Sequence, residues 1–192
     1  MKKSIGAKPL IQPNPVFIVG SYDEKGNPNI MTVAWGGTCC SRPPCAAVSL
    51  RKATRSYGNI RSSRAFSINI PSTPFVRDAD YIGIYSGKNE NKFESLGLTP
   101  MRCEKVNAPY VKEFPLIVEC KLLRTVKIGL HHLFIGKIRD IKVDDSVLDK
   151  DGLPAIEKVR PFVYDHAGPG YYELGEFLGR AYSIGRKRGR RP

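Results

Sequence analysis

No apolar run in this 192-residue chain approaches the roughly 20 residues needed to span a bilayer, so no transmembrane helix and no membrane partner are expected. The N-terminus, Met1-Lys2-Lys3-Ser4-Ile5-Gly6, is basic but lacks the apolar core of a secretory signal, which makes the cytoplasm the expected compartment. Cysteines are few: Cys39, Cys40, Cys45, Cys103 and Cys120 make an odd count with no C-x-x-C pair, which argues against a disulfide framework. They are read as reduced, mostly buried thiols. A metal is not expected either, because Cys39, Cys40 and Cys45 lack a second cluster at zinc-ligand spacing and His131 and His132 are adjacent. The fingerprints G-x-G-x-x-G and G-x-x-x-x-G-K-[ST] are missing, and with them the central evidence for a Rossmann or P-loop site. Internal repeats and low-complexity linkers are missing as well, so a single domain over residues 1–192 is expected.

Acidic residues are in short supply, 18 against 31 lysines and arginines, giving a net charge of +13. The excess is concentrated at one end, where Arg186, Lys187, Arg188, Arg190 and Arg191 fall within the last seven residues. A frayed, solvated tail over about residues 184–192 accounts for that cluster. A basic rim that attracts a phosphorylated cofactor or an acidic redox protein is the functional alternative. The same balance keeps a nucleic-acid-binding barrel of the OB or cold-shock type as a rival, using exposed aromatics and the C-terminal arginines.

An apolar fraction of 41% is sufficient for a core. Val16-Phe17-Ile18-Val19 is an apolar run that stops at Gly20-Ser21, and the turn residues Asp23-Glu24-Lys25-Gly26-Asn27-Pro28 follow. Asn29-Ile30-Met31-Thr32-Val33-Ala34-Trp35 reads as the returning strand of a hairpin, ended or bent by Gly36 and Gly37. Residues 46–50 make a further strand after Pro43-Pro44. Phe66, Ile68 and Ile70 alternate with Ser67 and Asn69, the period of a strand. Residues 116–122 alternate less cleanly, residues 133–143 form a long candidate, and Arg160-Pro161-Phe162-Val163-Tyr164 a short one. Helices are expected over about residues 56–62 and 76–86, with a further turn over 92–97. Six or more strands with few helices define a mainly β fold, an antiparallel barrel rather than a doubly wound sheet.

Most of the chemistry lies between Gly26 and Tyr57: G-N-P-N-I-M-T-V-A-W-G-G-T-C-C-S-R-P-P-C-A-A-V-S-L-R-K-A-T-R-S-Y. Phe66-Ser67-Ile68-Asn69, Ser86-Gly87-Lys88 with Asn91-Lys92-Phe93, and G-L-H-H-L-F-I-G from Gly129 to Gly136 follow in order. Over about residues 10–145 this series resembles the flavin reductase-like family, in particular its flavoredoxin branch. The resemblance implies an FMN-binding split β-barrel of Greek-key topology that works as a homodimer, with FMN rather than FAD as cofactor and NAD(P)H as a candidate reductant. An isoalloxazine ring needs backbone donors and acceptors along one edge and a flat apolar wall. Asn29, Ile30, Met31 and Thr32 offer the strand edge, and Trp35 the wall. The Gly36-Gly37 bend lets backbone come close to the ring. Thr38, Cys39 and Cys40 are expected along the ring or ribityl chain, and Ser49 beside them.

The phosphate calls for positive charge and compact donors, which Arg51, Thr54, Arg55 and Ser56 supply where a helix opens. Read alone, the same R-K-A-T-R-S is a solvated basic turn. Lys88 and Lys92 are candidates for a second basic contact, from the same chain or its dimer mate, against a reading as exposed helix-end lysines. Asn91 stands where the family has Asp. His131 matches the family's histidine, with Leu130 before it in place of Asp. It is the candidate catalytic residue, able to contact ring or nicotinamide and to shuttle protons near neutral pH, against a purely structural role. His132 is its opposite-facing neighbour. A disulfide between Cys39 and Cys40 would close a strained eight-membered ring and is not expected. Residues 171–179, rich in aromatics, either cover the pocket or dimer seam or simply pack on the barrel. The expected function is electron transfer through FMN, as a flavoredoxin-like carrier with a protein donor or acceptor or as an NAD(P)H:flavin oxidoreductase. The rivals are the nucleic-acid-binding barrel and a heme- or flavin-sensing module without turnover.

Overall fold

The computed structural model describes residues 1–186, so from residue 187 onward the expected basic tail lies outside the described residues. In chain order the strands and helices are β1 (Asn14–Pro15), β2 (Phe17–Tyr22), β3 (Pro28–Val33), β4 (Gly36–Ser41), β5 (Pro44–Arg51), α1 (Arg55–Ser63), β6 (Ala65–Ile70), α2 (Val76–Ile84) and α3 (Lys92–Leu96). They continue as β7 (Pro100–Arg102), β8 (Pro109–Val111), β9 (Leu116–Ile128), β10 (His131–Val143), α4 (Ile156–Val159), β11 (Phe162–Asp165) and β12 (Gly170–Glu173). Seven strands build one antiparallel sheet in the order β3-β2-β6-β9-β10-β5-β4. Two small sheets, β1-β11-β12 and β7-β8, lie outside it.

The hairpin β2–β3 forms where the turn residues stand. Asp23 Oδ1 accepts the backbone N–H groups of Lys25 and Asn27 at 2.9 and 2.8 Å, and Gly26 takes φ +81°, which few other residues adopt cheaply. From β3 the chain turns through Ala34-Trp35 straight into β4, so the two outermost strands of the sheet are consecutive stretches of one segment. The turn is pinned where Ser49 N donates to Trp35 O at 2.9 Å. The sheet is thereby rolled on itself into a barrel.

Strand alternation sorts the side chains into two cores. Val19, Val48, Leu50, Phe66, Ile68, Leu122 and Phe134 fill the barrel together with Tyr57 and Ile60 of α1. Ile18, Ile30 and Ile117 point the other way, under Ala79 and Ile82 of α2 and Phe93 of α3. The alternating strand β6 differs from expectation in one respect: Ser67 and Asn69 are as buried as the apolar residues between them. A flap that includes β7 and β8 covers them and meets their hydrogen-bonding needs. Asn69 donates to Ile18 O and accepts Val111 N, each at 2.8 Å, and Ser67 Oγ donates to Pro109 O at 2.5 Å.

Candidate functional site

A cleft of about 350 Å³ opens where β3, the start of α1 and the end of α2 converge. One wall is residues 29–32 of β3, which is the last strand of its sheet, so half of its backbone groups have no strand partner. The opposite wall is residues 82–87, the end of α2 and the loop after it, and the floor is Arg51 with residues 53–56. The lining is apolar at Ile30, Met31, Ile82 and Ile84 and basic or hydroxylic at Arg51, Thr54, Arg55 and Ser56.

Helix α1 opens this way because Thr54 caps it. Its side chain accepts from Tyr57 N at 3.4 Å while its own hydroxyl donates to Arg51 O at 2.9 Å. Tyr57 then plugs the barrel core, meeting Phe134 edge-on at 5.4 Å, so the first turn of α1 is held from inside. Ser56 is buried and accepts from Asn29 Nδ2 at 2.8 Å, which ties helix to strand. Among the described residues the Arg51 guanidinium has no hydrogen-bond or ion-pair partner. Arg55, by contrast, donates through Nη2 to Asp23 Oδ2 at 2.7 Å and through Nη1 to Gly87 O.

The Asn27 side-chain amide, backed by the backbone N–H groups of Asn27 and Lys25 and by Arg55, holds the Asp23 carboxyl down at about 2 instead of 3.8. A folded-state value below the unfolded one means stabilisation that is complete above the unfolded value and lost as pH falls towards the folded one. The melting temperature of the native chain is therefore expected to exceed that of D23N by a constant margin above about pH 4, closing as pH falls to about 2. A margin that does not change between pH 5 and 2 would contradict this assignment.

Lys92 is buried rather than exposed. Its Nζ donates to Ile82 O at 2.9 Å and Tyr85 O at 3.1 Å, capping the end of α2, and burial lowers its pKa to about 8. It lines the cleft, whereas Lys88 is exposed on the loop beyond it.

The residues expected around the flavin, ring and phosphate together, divide at the Ala34-Trp35 corner. Asn29, Ile30, Met31, Thr32, Arg51, Thr54, Arg55, Ser56 and Lys92 come together in the cleft. Trp35, Thr38, Cys39 and Ser49 line a second, mainly apolar groove of about 580 Å³, walled by Ile11, Pro13 and Leu133. Cys40 and Lys88 line neither. The His131 ring meets the Trp35 indole at a tilt, with centroids 4.8 Å apart, and His131 pairs across the sheet with Arg51, so it stands at the corner between the two spaces. His132 faces inward against Tyr57 at 4.9 Å, with Nδ1 buried and unpartnered among the described residues.

All five cysteines are free. Cys45, Cys103 and Cys120 are buried, whereas Cys39 and Cys40 are exposed on β4. Cys39 sits at a bulge in β4, and desolvation by the residues around it, with the neighbouring thiols of Cys45 and Cys40, raises its thiol pKa, the wrong direction for a ready thiolate. Asp23, Gly87, residues 82–86 and His166, whose ring lies tilted against Trp35 with centroids 5.9 Å apart, were not singled out as site residues from the sequence. Asp23 reads there only as a turn residue. Residues 82–86 reach the cleft through packing of α2 on β3, which leaves no local signal. Ser86-Gly87 alone carried one, as part of the S-G-K motif.

An antiparallel sheet rolled closed at a corner is the split-barrel architecture of its structural neighbours. The chain matches the flavin reductase like domain over residues 11–171, and it belongs to that family. It is similar to the flavoredoxin of Desulfovibrio vulgaris (Miyazaki F), at 55% identity over 97% of this chain and 100% of that one, with a TM-score of 0.93. A flavoredoxin from Methanosarcina acetivorans is 27% identical over 97% and 98% of the two chains, with a TM-score of 0.90. A ferric-chelate reductase (NAD(P)H) of Archaeoglobus fulgidus is 26% identical over 106 residues, 54% of this chain and 60% of that one. Among the described residues no helix is long and apolar enough to cross a membrane, and no group of three or more His, Cys, Asp or Glu side chains is arranged to hold a metal.

Proposed function

We propose that the chain binds FMN in the cleft between β3, α1 and α2 and passes electrons through it, as a flavoredoxin-like carrier. The observation that carries this reading is the union, in one cleft, of an unpaired strand edge, an apolar wall, a capped helix N-terminus and the unpartnered guanidinium of Arg51. The residues suit the cofactor at both ends. Arg51 and the N-terminal turn of α1 neutralise a phosphate, with Thr54 and Ser56 hydroxyls beside it. The backbone of residues 29–32 supplies donors and acceptors to a ring edge, while Ile82 and Ile84 exclude water from the apolar side. When bound, FMN supplies reversible one- and two-electron chemistry, and the side chains need only position it and tune its surroundings. Trp35, Thr38, Cys39 and Ser49, across the corner, line the side from which a donor or acceptor approaches, with His131 beside it as a proton-holding group. A homodimer has a surface available in the exposed Leu123, Val126, Ile128 and Leu130 of the β9–β10 hairpin.

The 55% identity to a flavoredoxin over nearly the whole chain favours the carrier over an NAD(P)H oxidoreductase. The purified protein is expected to be yellow, or to take up FMN stoichiometrically, and to release it on denaturation. Mixed with NAD(P)H alone, the bound flavin is expected to stay oxidised; rapid bleaching would instead establish the reductase. A folded, colourless protein that takes up no FMN but binds an oligonucleotide with a steep salt slope would establish the nucleic-acid rival.

A further inference from the structure

The FMN cleft ends at a wall. Behind it lies a second polar cavity of about 300 Å³, lined by Asn27, Pro28, Asn89, Glu90, Asn91 and Phe93. The two cavities share Asn29, Ile30, Arg55, Gly87 and Lys92, which face one space on each side. Arg55 fastens the wall. One arm of its guanidinium is bonded to Asp23 in the β2–β3 turn and the other to the Gly87 carbonyl in the loop after α2. Neither anchor is loose. The Asp23 carboxylate is fixed by Lys25 N–H, Asn27 N–H and the Asn27 amide at 2.8 to 3.0 Å. Gly87 lies so close to Asn29 that a Cβ there would collide with the Asn29 amide oxygen, and Asn29 is in turn held by Ser56.

We infer that this Asp23–Arg55–Gly87 latch makes the site selective for a flavin mononucleotide over the dinucleotide. The inference rests on the proposed function and deepens it. A mononucleotide ends at its phosphate, which can lie against the closed wall beside Arg51 and the start of α1. A dinucleotide continues from that phosphate into a second phosphate and an adenosine, and the wall stands where the extension must pass. With the latch released, the cavity behind it gives the extension room and polar partners in Asn27, Asn89 and Asn91. Both ends of the latch are needed, because a single guanidinium bridges the β2–β3 turn and the loop after α2. Lysine cannot do this, since its one ammonium lacks the planar fork.

The test is a pair of titrations of the full chain, with FMN and with FAD, followed by flavin fluorescence for the native protein, D23N and R55K. The native protein is expected to bind FMN at least about tenfold more tightly than FAD, and each latch variant to lose most of that ratio through tighter FAD binding relative to FMN. Adding N89W to D23N, which fills the rear cavity, is expected to restore the preference. Should D23N fail to fold, R55K carries the comparison alone. A native protein that binds both flavins equally, or variants in which both affinities change by the same factor, would overturn the latch while leaving the flavin site intact. A folded native protein that binds neither flavin would overturn the proposed function itself.

Discussion

Replacing Arg51 with alanine is expected to weaken FMN binding by roughly 10- to 100-fold, the loss of one charge-assisted hydrogen bond of about 1.5–3 kcal/mol. The residue is exposed at the end of β5 and lines the cleft, and among the described residues its guanidinium serves no partner in the protein. The fold should hardly notice its removal: a surface substitution of this kind changes stability by no more than about 0.5 kcal/mol, or about 2 °C in melting temperature for a chain of this size. Calorimetric titration with FMN, beside a thermal melt of the flavin-free protein, separates the two effects. Part of the loss should shrink at high salt, because the contact is electrostatic. An unchanged FMN affinity would place the phosphate elsewhere.

Substituting Gly136 by alanine should do the opposite, damaging the barrel rather than the ligand contacts. A Cβ at this position would stand 2.6 and 2.7 Å from ring atoms of Phe66 and 2.8 Å from Cys120 Cβ, all inside the barrel core. Phe66 is fully buried on β6, one strand beyond β9, and reaches across β9 into the space a side chain on β10 would take. The register shift between Ile135 and Gly136 marks the same place in the β9–β10 ladder. Overpacking of this kind costs about 1–3 kcal/mol, so the melting temperature should fall by roughly 2 to 12 °C. Gly37 is the control. Its Cβ position is open, and G37A is expected to melt with the native protein.

What the sequence made legible follows from where local chemistry decides structure. The β2–β3 hairpin could be read because Asp23, Gly26 and Asn27 build its turn by themselves, and α1 because Thr54 caps it. Strand β4 escaped. Gly36-Gly37-Thr38-Cys39-Cys40-Ser41 has no apolar alternation, since it is an exposed strand with a bulge and borrows its order from β5. Strand β9 reads only to Leu122 because its outer half, from Leu123 to Ile128, leaves the core and loses the contrast between faces. In the cleft, the basic and hydroxyl residues of 51–56 and the edge of β3 were legible as a motif. The division of Trp35 and Thr38 from them was not, because it depends on which way the chain bends at Ala34. Nor was the burial of Lys92, whose partners Ile82 and Tyr85 follow from how α2 ends.

The two outer strands of the rolled sheet also bear on how this protein behaves at high concentration. An unpaired strand invites a neighbouring molecule to add its own backbone, the first step towards aggregates. On β3 that invitation is blocked by α2, whose Ala79 carbonyl accepts the Thr32 hydroxyl at 2.5 Å. On β4 the irregularity at Cys39 breaks the regular spacing of donors and acceptors that an incoming strand would need. Self-association along these borders must therefore proceed through side chains, which can be selective, rather than through the indiscriminate zippering of main chains.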